Sequence, residues 1–300
     1  MFKIKKTGVY IPEGILDNEY FTKIVETNDE WIRTRTGIKT RHIAEEKMYE
    51  MAGKAARVVT ADINVDDIDL IVVSTITPEY YFPSTACLVA KEIGAKNARC
   101  FDVSAACAGF NYALDIVSRY NYKNALVISS EKLTGIVDYT DRTTCVLFGD
   151  GAAAVLLEPD STAPYGSFLG ADADGAMCIY AEQNGGKLIQ NGKEVYKFAT
   201  KILPLCVEKA CENVGWSVSE IDWVIPHQAN LRIIETAAKN LNVDLSKFIV
   251  TIEDYGNTSS SSIPIALNEG IVSGRIKRGD KVCLVGFGSG LVYGANLFVY

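Results

Sequence analysis

Short apolar runs rich in β-branched residues recur along the chain at 70–73, 125–128, 152–157, 223–225, 282–285 and 295–299. Between several of them lie stretches with apolar residues at helical spacing, 48–61, 109–120, 197–214 and 229–241. This alternation predicts an α/β protein with largely parallel sheets. Residues 166–186, rich in Gly, Ala and Asp, read as loops over the joined core. The segment Val65-Asp66-Asp67-Ile68-Asp69-Leu70-Ile71-Val72 lines up with Val218-Ser219-Glu220-Ile221-Asp222-Trp223-Val224-Ile225 at an offset of 153 residues, and the same offset brings Ala113-Leu114-Asp115 onto Ala266-Leu267-Asn268. A shared offset near half the chain length is what a duplicated half-domain leaves. The expected organisation is two similar α/β halves, 1–165 and 166–300.

Composition narrows the function classes. The 300 residues carry 30 Lys+Arg against 37 Asp+Glu, a net charge of -7, with 48% hydrophobic and 22% charged residues. That is too apolar for a disordered or fibrous chain. The acidic balance argues against nucleic acid as a partner, and an anionic ligand needs a local basic patch. Eight cysteines without a C-x-x-C pair, beside two histidines, indicate neither a metal site nor a disulfide framework. Met1-Phe2-Lys3-Ile4-Lys5-Lys6 lacks the apolar stretch of a signal peptide, and no apolar run approaches the ~18 residues of a membrane span. A cytoplasmic setting is expected.

Three segments can carry chemistry. Residues 101–110 start like a strand and run into a helical pattern, which puts Cys107 near a helix N-terminus, where unpaired N–H groups favour a thiolate. Taken alone, a Cys among alanines fits an inert core residue as well. His227 follows the buried-strand signal at 223–225, at the strand end where α/β sheets bind ligands. His42, between Arg41 and Ile43 in a charged segment, reads as a surface residue. In Tyr255-Gly256-Asn257-Thr258-Ser259, Gly256 allows a sharp turn and Asn257 can offer an amide donor or simply cap a helix. At the 153 offset Cys107 falls opposite Ser260, so the two loops are expected to face one cleft. Gly286-Phe287-Gly288-Ser289-Gly290 is no dinucleotide fingerprint, because only ten residues follow it; it reads as backbone approaching a ligand.

In this order, Ala105-Ala106-Cys107-Ala108-Gly109-Phe110, Pro226-His227-Gln228-Ala229-Asn230 and Gly256-Asn257-Thr258-Ser259 resemble the Cys-His-Asn triad of β-ketoacyl-acyl-carrier-protein synthase III, among the thiolase-fold condensing enzymes. Asp29-Glu30-Trp31-Ile32, Thr34-Arg35-Thr36-Gly37-Ile38, Phe82-Pro83-Ser84, Phe148-Gly149-Asp150-Gly151-Ala152 and Gly274-Arg275-Ile276-Lys277 extend the likeness over nearly the whole chain. The resemblance implies a thiolase-like fold, two duplicated α/β halves with mixed five-stranded sheets layered αβαβα. It implies a decarboxylating condensation of an acyl-CoA primer, such as acetyl-CoA, with malonyl-acyl-carrier protein at the start of fatty-acid synthesis, with no tightly bound cofactor. Cys107 would carry the acyl group, His227 and Asn257 would donate to the enolate oxygen, and the backbone N–H groups of Cys107 and Ser289 would hold the acyl oxygen. Trp31 and Arg142 would bracket the CoA adenine, Arg35 would meet its phosphates, and Asn230 and Gly192 would line the pantetheine tunnel. Lys197, Arg232 and Lys239 would dock the acidic carrier protein, although ordinary helix solvation also accounts for the two lysines. Phe287 belongs to the acyl pocket, and Phe82 would reach the pocket of the second subunit of a homodimer.

Ser260-Ser261 and Ser289 depart from the small apolar residues and glycine common at these positions in the family, and the middle segment 161–187 is shorter than usual. An acyltransferase or condensing enzyme of secondary metabolism is the alternative from the same family. A thiol hydrolase also uses Cys, His and Asn, but Trp31 and Arg35 fit it poorly. A catalytically silent partner subunit usually lacks the nucleophile that is present here.

Overall fold

A computed structural model describes residues 1–183 and 185–300. The first sheet holds β1 (Phe2–Tyr10), β2 (Leu70–Ser74), β3 (Arg99–Val103), β4 (Ala125–Lys132) and β5 (Asp150–Pro159), in the order β1-β5-β4-β2-β3. The second holds β6 (Tyr165–Ala171), β7 (Trp223–Pro226), β8 (Lys281–Gly288) and β9 (Val292–Val299), in the order β6-β9-β8-β7. Each sheet runs antiparallel, antiparallel, then parallel from its β1 or β6 edge. The expectation of largely parallel sheets is therefore corrected. The tight turn Ser289–Leu291 joins β8 directly to β9, and a short connection of this kind returns a chain antiparallel.

The second sheet differs from the expected five strands by one. Where β3 stands in the first sheet, Phe248 makes a single parallel bridge to Val224 of β7 and the Ile249 N–H donates to the Val224 carbonyl at 3.0 Å. The fifth position is occupied, but by a pairing too short to be a strand. Residues 166–186 also contain more structure than their composition predicts, since 166–171 lie within β6. A Cβ at Gly166 would come within 2.8 Å of the Ala210 carbonyl oxygen, so a side chain is excluded where β6 presses against a helix.

The labelled helices are α1 (Asp29–Thr36), α2 (Met48–Thr60), α3 (Thr85–Ile93), α4 (Gly109–Ser118), α5 (Gly192–Val214), α6 (Leu231–Leu241) and α7 (Ser262–Val272). α2 and α3 cover the outer face of the first sheet, α5 packs on the outer face of the second with α6 beside it, and α4 and α7 touch strands of both sheets. The layers are thus αβαβα. The middle layer is the driest: Phe110, Ala113, Leu114 and Val117 of α4 and Ile263, Ala266 and Leu267 of α7 are all fully buried. Burying a Leu, Ile or Phe side chain stabilises by roughly 1.5–3 kcal/mol. That energy fixes the N-termini of α4 and α7, and with them the turns that precede them. Among the described residues no helix is long and apolar enough to cross a membrane, no group of three or more His, Cys, Asp or Glu could hold a metal, and all eight cysteines are free.

Candidate active site

Two matching turns set the chemistry. Ala106–Ala108 forms one 3-10 turn ahead of α4, and Ser259–Ser261 forms another ahead of α7. Both open on a non-glycine residue in the left-handed region, Ala106 at φ 43° and Ser259 at φ 53°, which are 153 residues apart. Such a conformation costs on the order of 1 kcal/mol or more and persists when surrounding packing enforces it. The turns present Cys107 and Ser259 to each other, and the Cys107 thiol donates to Ser259 Oγ at 3.4 Å.

Glycine lets the end of β8 close over Cys107. A Cβ at Gly288 would lie 2.5 Å from the Cys107 nitrogen and 3.0 Å from Ala106 Cβ. Ser289 follows at once, with its hydroxyl donating to the Ile179 carbonyl. Gly256 takes φ 64°, and the Asn257 N–H donates to the Leu147 carbonyl at 2.9 Å while the Gly149 N–H donates to the Asn257 carbonyl at 3.0 Å. Buried Arg41 braces this loop pair from behind. Its Nη2 donates to the Val146 carbonyl at 2.5 Å, its Nη1 donates to Asn18 Oδ1 at 2.8 Å, and its guanidinium lies over the Phe21 ring.

Cys107, His227 and Asn257 all line one cavity of about 590 Å³, together with Ser259, Phe287 and Ser289. The hydrogen bonds fix which atoms can act. Ser262 Oγ lies 2.7 Å from His227 Nδ1 and accepts the Gln228 N–H at 3.2 Å. The buried Ser262 hydroxyl needs an acceptor, and Nδ1 is the one in reach, so the imidazole proton belongs on Nε2. Burial lowers the His227 pKa to about 3, so the ring is neutral and a poor base. Phe287 packs edge-on against it, ring centres 5.5 Å apart. Asn257 Oδ1 accepts the Ser259 N–H at 2.8 Å, which leaves Nδ2 without a partner among the described residues. The site therefore offers two oriented neutral donors, His227 Nε2–H and Asn257 Nδ2–H.

The expected thiolate is corrected. Burial pushes the Cys107 thiol up to about 12, the Ser259 hydrogen bond lowers it less, and the nearby Glu131 carboxylate raises it further. Desolvation outweighs the helix N-terminus because the sulfur sits on the floor of a largely apolar cavity. At neutral pH the resting Cys107 side chain is a thiol.

At the mouth, the Arg142 guanidinium lies 5.1 Å from the Trp31 ring centre, and Arg35, Gly192, Lys193 and Arg232 line the rim. Asn230 caps α6 by accepting the Arg232 N–H at 2.9 Å, and its Nδ2 donates to the Arg35 carbonyl at 2.9 Å, so it ties α1 to α6 as well as lining the cavity. Lys197 and Lys239 are exposed and outside the cavity, Lys197 3.9 Å from Glu194. Phe82 is 84% exposed and does not line the cavity of its own chain. His42, expected at the surface, is instead half-buried, with Nδ1 2.6 Å from the Pro12 carbonyl oxygen and the ring beside Tyr255. Sequence reasoning missed Glu131, Ser259 and Ser262 as members of the site. The available signal was an acidic residue closing the apolar run of β4 at a carboxyl-terminal strand end.

Residues 101–175 match the family model for 3-oxoacyl-[acyl-carrier-protein] synthase III, and residues 211–300 match the model for its C-terminal part. A β-ketoacyl-[acyl-carrier-protein] synthase III of Oceanobacillus iheyensis is 47% identical, covering 96% of each chain. That of Clostridium acetobutylicum is 44% identical, covering 96% of this chain and 95% of its own. The crystal structure of 3-oxoacyl-[acyl-carrier-protein] synthase III from Aquifex aeolicus superposes with a TM-score of 0.97 at 44% identity, covering 100% of both chains.

Proposed function

The chain belongs to the 3-oxoacyl-acyl-carrier-protein synthase III family, the thiolase-fold acyltransferases that carry out the initiating condensation of fatty-acid synthesis, and on that premise we propose how its residues divide the reaction. Cys107 takes an acyl group, acetyl in the simplest case, from acyl-CoA as a thioester and releases CoA thiol. A malonyl thioester on acyl carrier protein then enters the same cavity and loses CO2, and negative charge builds on its thioester oxygen. His227 Nε2–H and Asn257 Nδ2–H donate to that oxygen, and one such donor contributes about 3 kcal/mol to transition-state stabilisation. The enolate carbon attacks the Cys107 thioester, whose oxygen rests on the backbone N–H groups of Cys107 and Ser289. Collapse of that adduct frees Cys107 and leaves 3-oxoacyl-acyl-carrier protein.

The convergence of Cys107, His227 and Asn257 on one cavity, with the imidazole neutral and its Nε2 protonated, carries this reading. A thiol hydrolase needs an imidazole that can accept the thiol proton, and His227 is a poor one. Trp31, Arg142 and Arg35 at the mouth suit an adenine and phosphates, Gly192 and Asn230 the pantetheine arm, and Arg232, Lys197 and Lys239 an acidic carrier protein. Phe287 bounds the acyl pocket beside His227. We assign Phe82 to the pocket of a second subunit in a homodimer, and the two α/β halves to 1–165 and 166–300. Incubation of the purified protein with acetyl-CoA and malonyl-acyl-carrier protein should release CO2 and form 3-oxoacyl-acyl-carrier protein; neither product appearing would refute the assignment.

A further inference from the structure

Glu131 is a fully buried carboxylate that the condensation above does not use. Its Oε2 accepts from Thr75 Oγ1 at 3.2 Å, the Ile76 N–H at 3.1 Å and Thr77 Oγ1 at 2.9 Å. Its Oε1 accepts from Ser260 Oγ at 2.8 Å and Ser259 Oγ at 3.2 Å. It makes no ion pair among the described residues, and Lys132, next along β4, directs its ammonium to the carbonyls of Glu45 and Glu46. The titratable group that faces it is Cys107, whose thiol donates to the same Ser259 hydroxyl. Sulfur, hydroxyl and carboxylate thus form one chain of hydrogen bonds.

We propose that Ser259 and Glu131 are the route by which the Cys107 thiol loses its proton. The S–H bond breaks as its proton passes to Ser259 Oγ, and the hydroxyl proton of Ser259 passes to Glu131 Oε1. The products are a thiolate held by the Ser259 hydroxyl and a neutral carboxylic acid. When Cys107 leaves the acyl thioester after condensation, the same transfers run backwards. Each of these transfers moves a proton within the site and leaves its net charge unchanged. In the acylation step the charge departs with CoA, which leaves as its thiolate and takes its proton from solvent, so no uncompensated charge is created in the low-dielectric floor of the cavity. Burial raises the pKa of Glu131, which brings the acceptor toward the thiol it serves. Ser259 touches the reacting sulfur and is catalytic in this scheme; Glu131 acts through it.

The scheme rests on Cys107 as the nucleophile, but its test needs no acyl donor. The rate of Cys107 alkylation by iodoacetamide is followed against pH, with the modified peptide identified by mass spectrometry because Cys87 is exposed and Cys100 and Cys178 are, like Cys107, partly accessible. Wild type should gain reactivity as the thiol–carboxylate pair loses its first proton and then hold a plateau through neutral pH. Glu131→Gln and Ser259→Ala should lose the plateau, rise about tenfold per pH unit into the alkaline range, and react roughly 10²-fold more slowly at neutral pH. Ser259→Ala keeps the other four donors to Glu131, so it carries the test alone if Glu131→Gln does not fold. Variants that keep the wild-type pH profile, whatever their stability, would overturn the proposal even if condensation activity is found.

Discussion

Adding one methyl group at Gly288 tests whether backbone apposition positions Cys107 for the acyl transfer proposed for it. In Gly288→Ala the new Cβ would stand 2.5 Å from the Cys107 nitrogen, 3.0 Å from Ala106 Cβ and 3.2 Å from Cys107 Cα. Ordinary contact needs about 3.4 Å or more, so the turn and the strand must part by close to 1 Å. Neither side yields cheaply. Gly288 is paired with Val292 at the end of the β8–β9 hairpin, and Ala106 already sits at φ 43°. Overpacking of this kind costs about 1–3 kcal/mol, and a displacement of about 1 Å at a reacting group lowers the rate on the order of 10²-fold. The assay is the rate at which acetyl-CoA loads Cys107, read as the mass of the acyl-enzyme, with thermal unfolding alongside. Gly135→Ala is the control, because nothing lies within 4 Å of its Cβ and its backbone is unstrained. The reasoning fails if Gly288→Ala loads at the wild-type rate, or if Gly135→Ala slows it equally.

Two further outcomes follow from the site. Burial depresses His227 from 6.5 to about 3, so its neutral form favours the fold; that stability is fully present above about pH 6.5 and is lost as pH falls toward 3. Over that window wild type should lose on the order of 1.4 kcal/mol per pH unit more than His227→Gln in urea unfolding, and parallel profiles would show that the ring is not held neutral. At the mouth, Trp31→Ala removes the half-buried cation–π partner of the exposed Arg142, contributing about 0.5–1 kcal/mol. It should raise KM for acyl-CoA by about 2- to 5-fold with kcat retained; a fall in kcat alone would move Trp31 from binding to chemistry.

The interior of the fold was more legible than its edges. The apolar runs at 70–73, 125–128 and 282–285 became β2, β4 and β8, because a strand buried on both faces leaves a continuous hydrophobic signature. β1 was hidden by Lys3, Lys5 and Lys6, which belong to an edge strand with one face in water. β6 was hidden by Gly166, whose missing side chain serves close packing against α5, and by Gly170, where a Cβ would meet the Tyr293 ring of β9. In the site, Cys107, His227 and Asn257 announce themselves through local motifs. The ionisation of Cys107 does not, because a helix N-terminus is written in the sequence and desolvation is a property of the assembled cavity. Glu131 was in plain view at the end of β4, but its partners come from residues 75–77 and 259–260, distances along the chain that no local pattern spans.

The five hydrogen bonds to Glu131 also constrain how the enzyme can move. They fasten the segment after β2 and the turn before α7 to the end of β4, so a single carboxylate rivets the floor of the cavity across elements that belong to opposite ends of the chain. A hinge that parted the turn before α7 from the first sheet would have to break both serine bonds at once. Breathing of the site during turnover is thereby displaced to the rim, to the α1, Arg142 and Gly192 segments, and slow amide exchange should persist at the floor while substrates come and go.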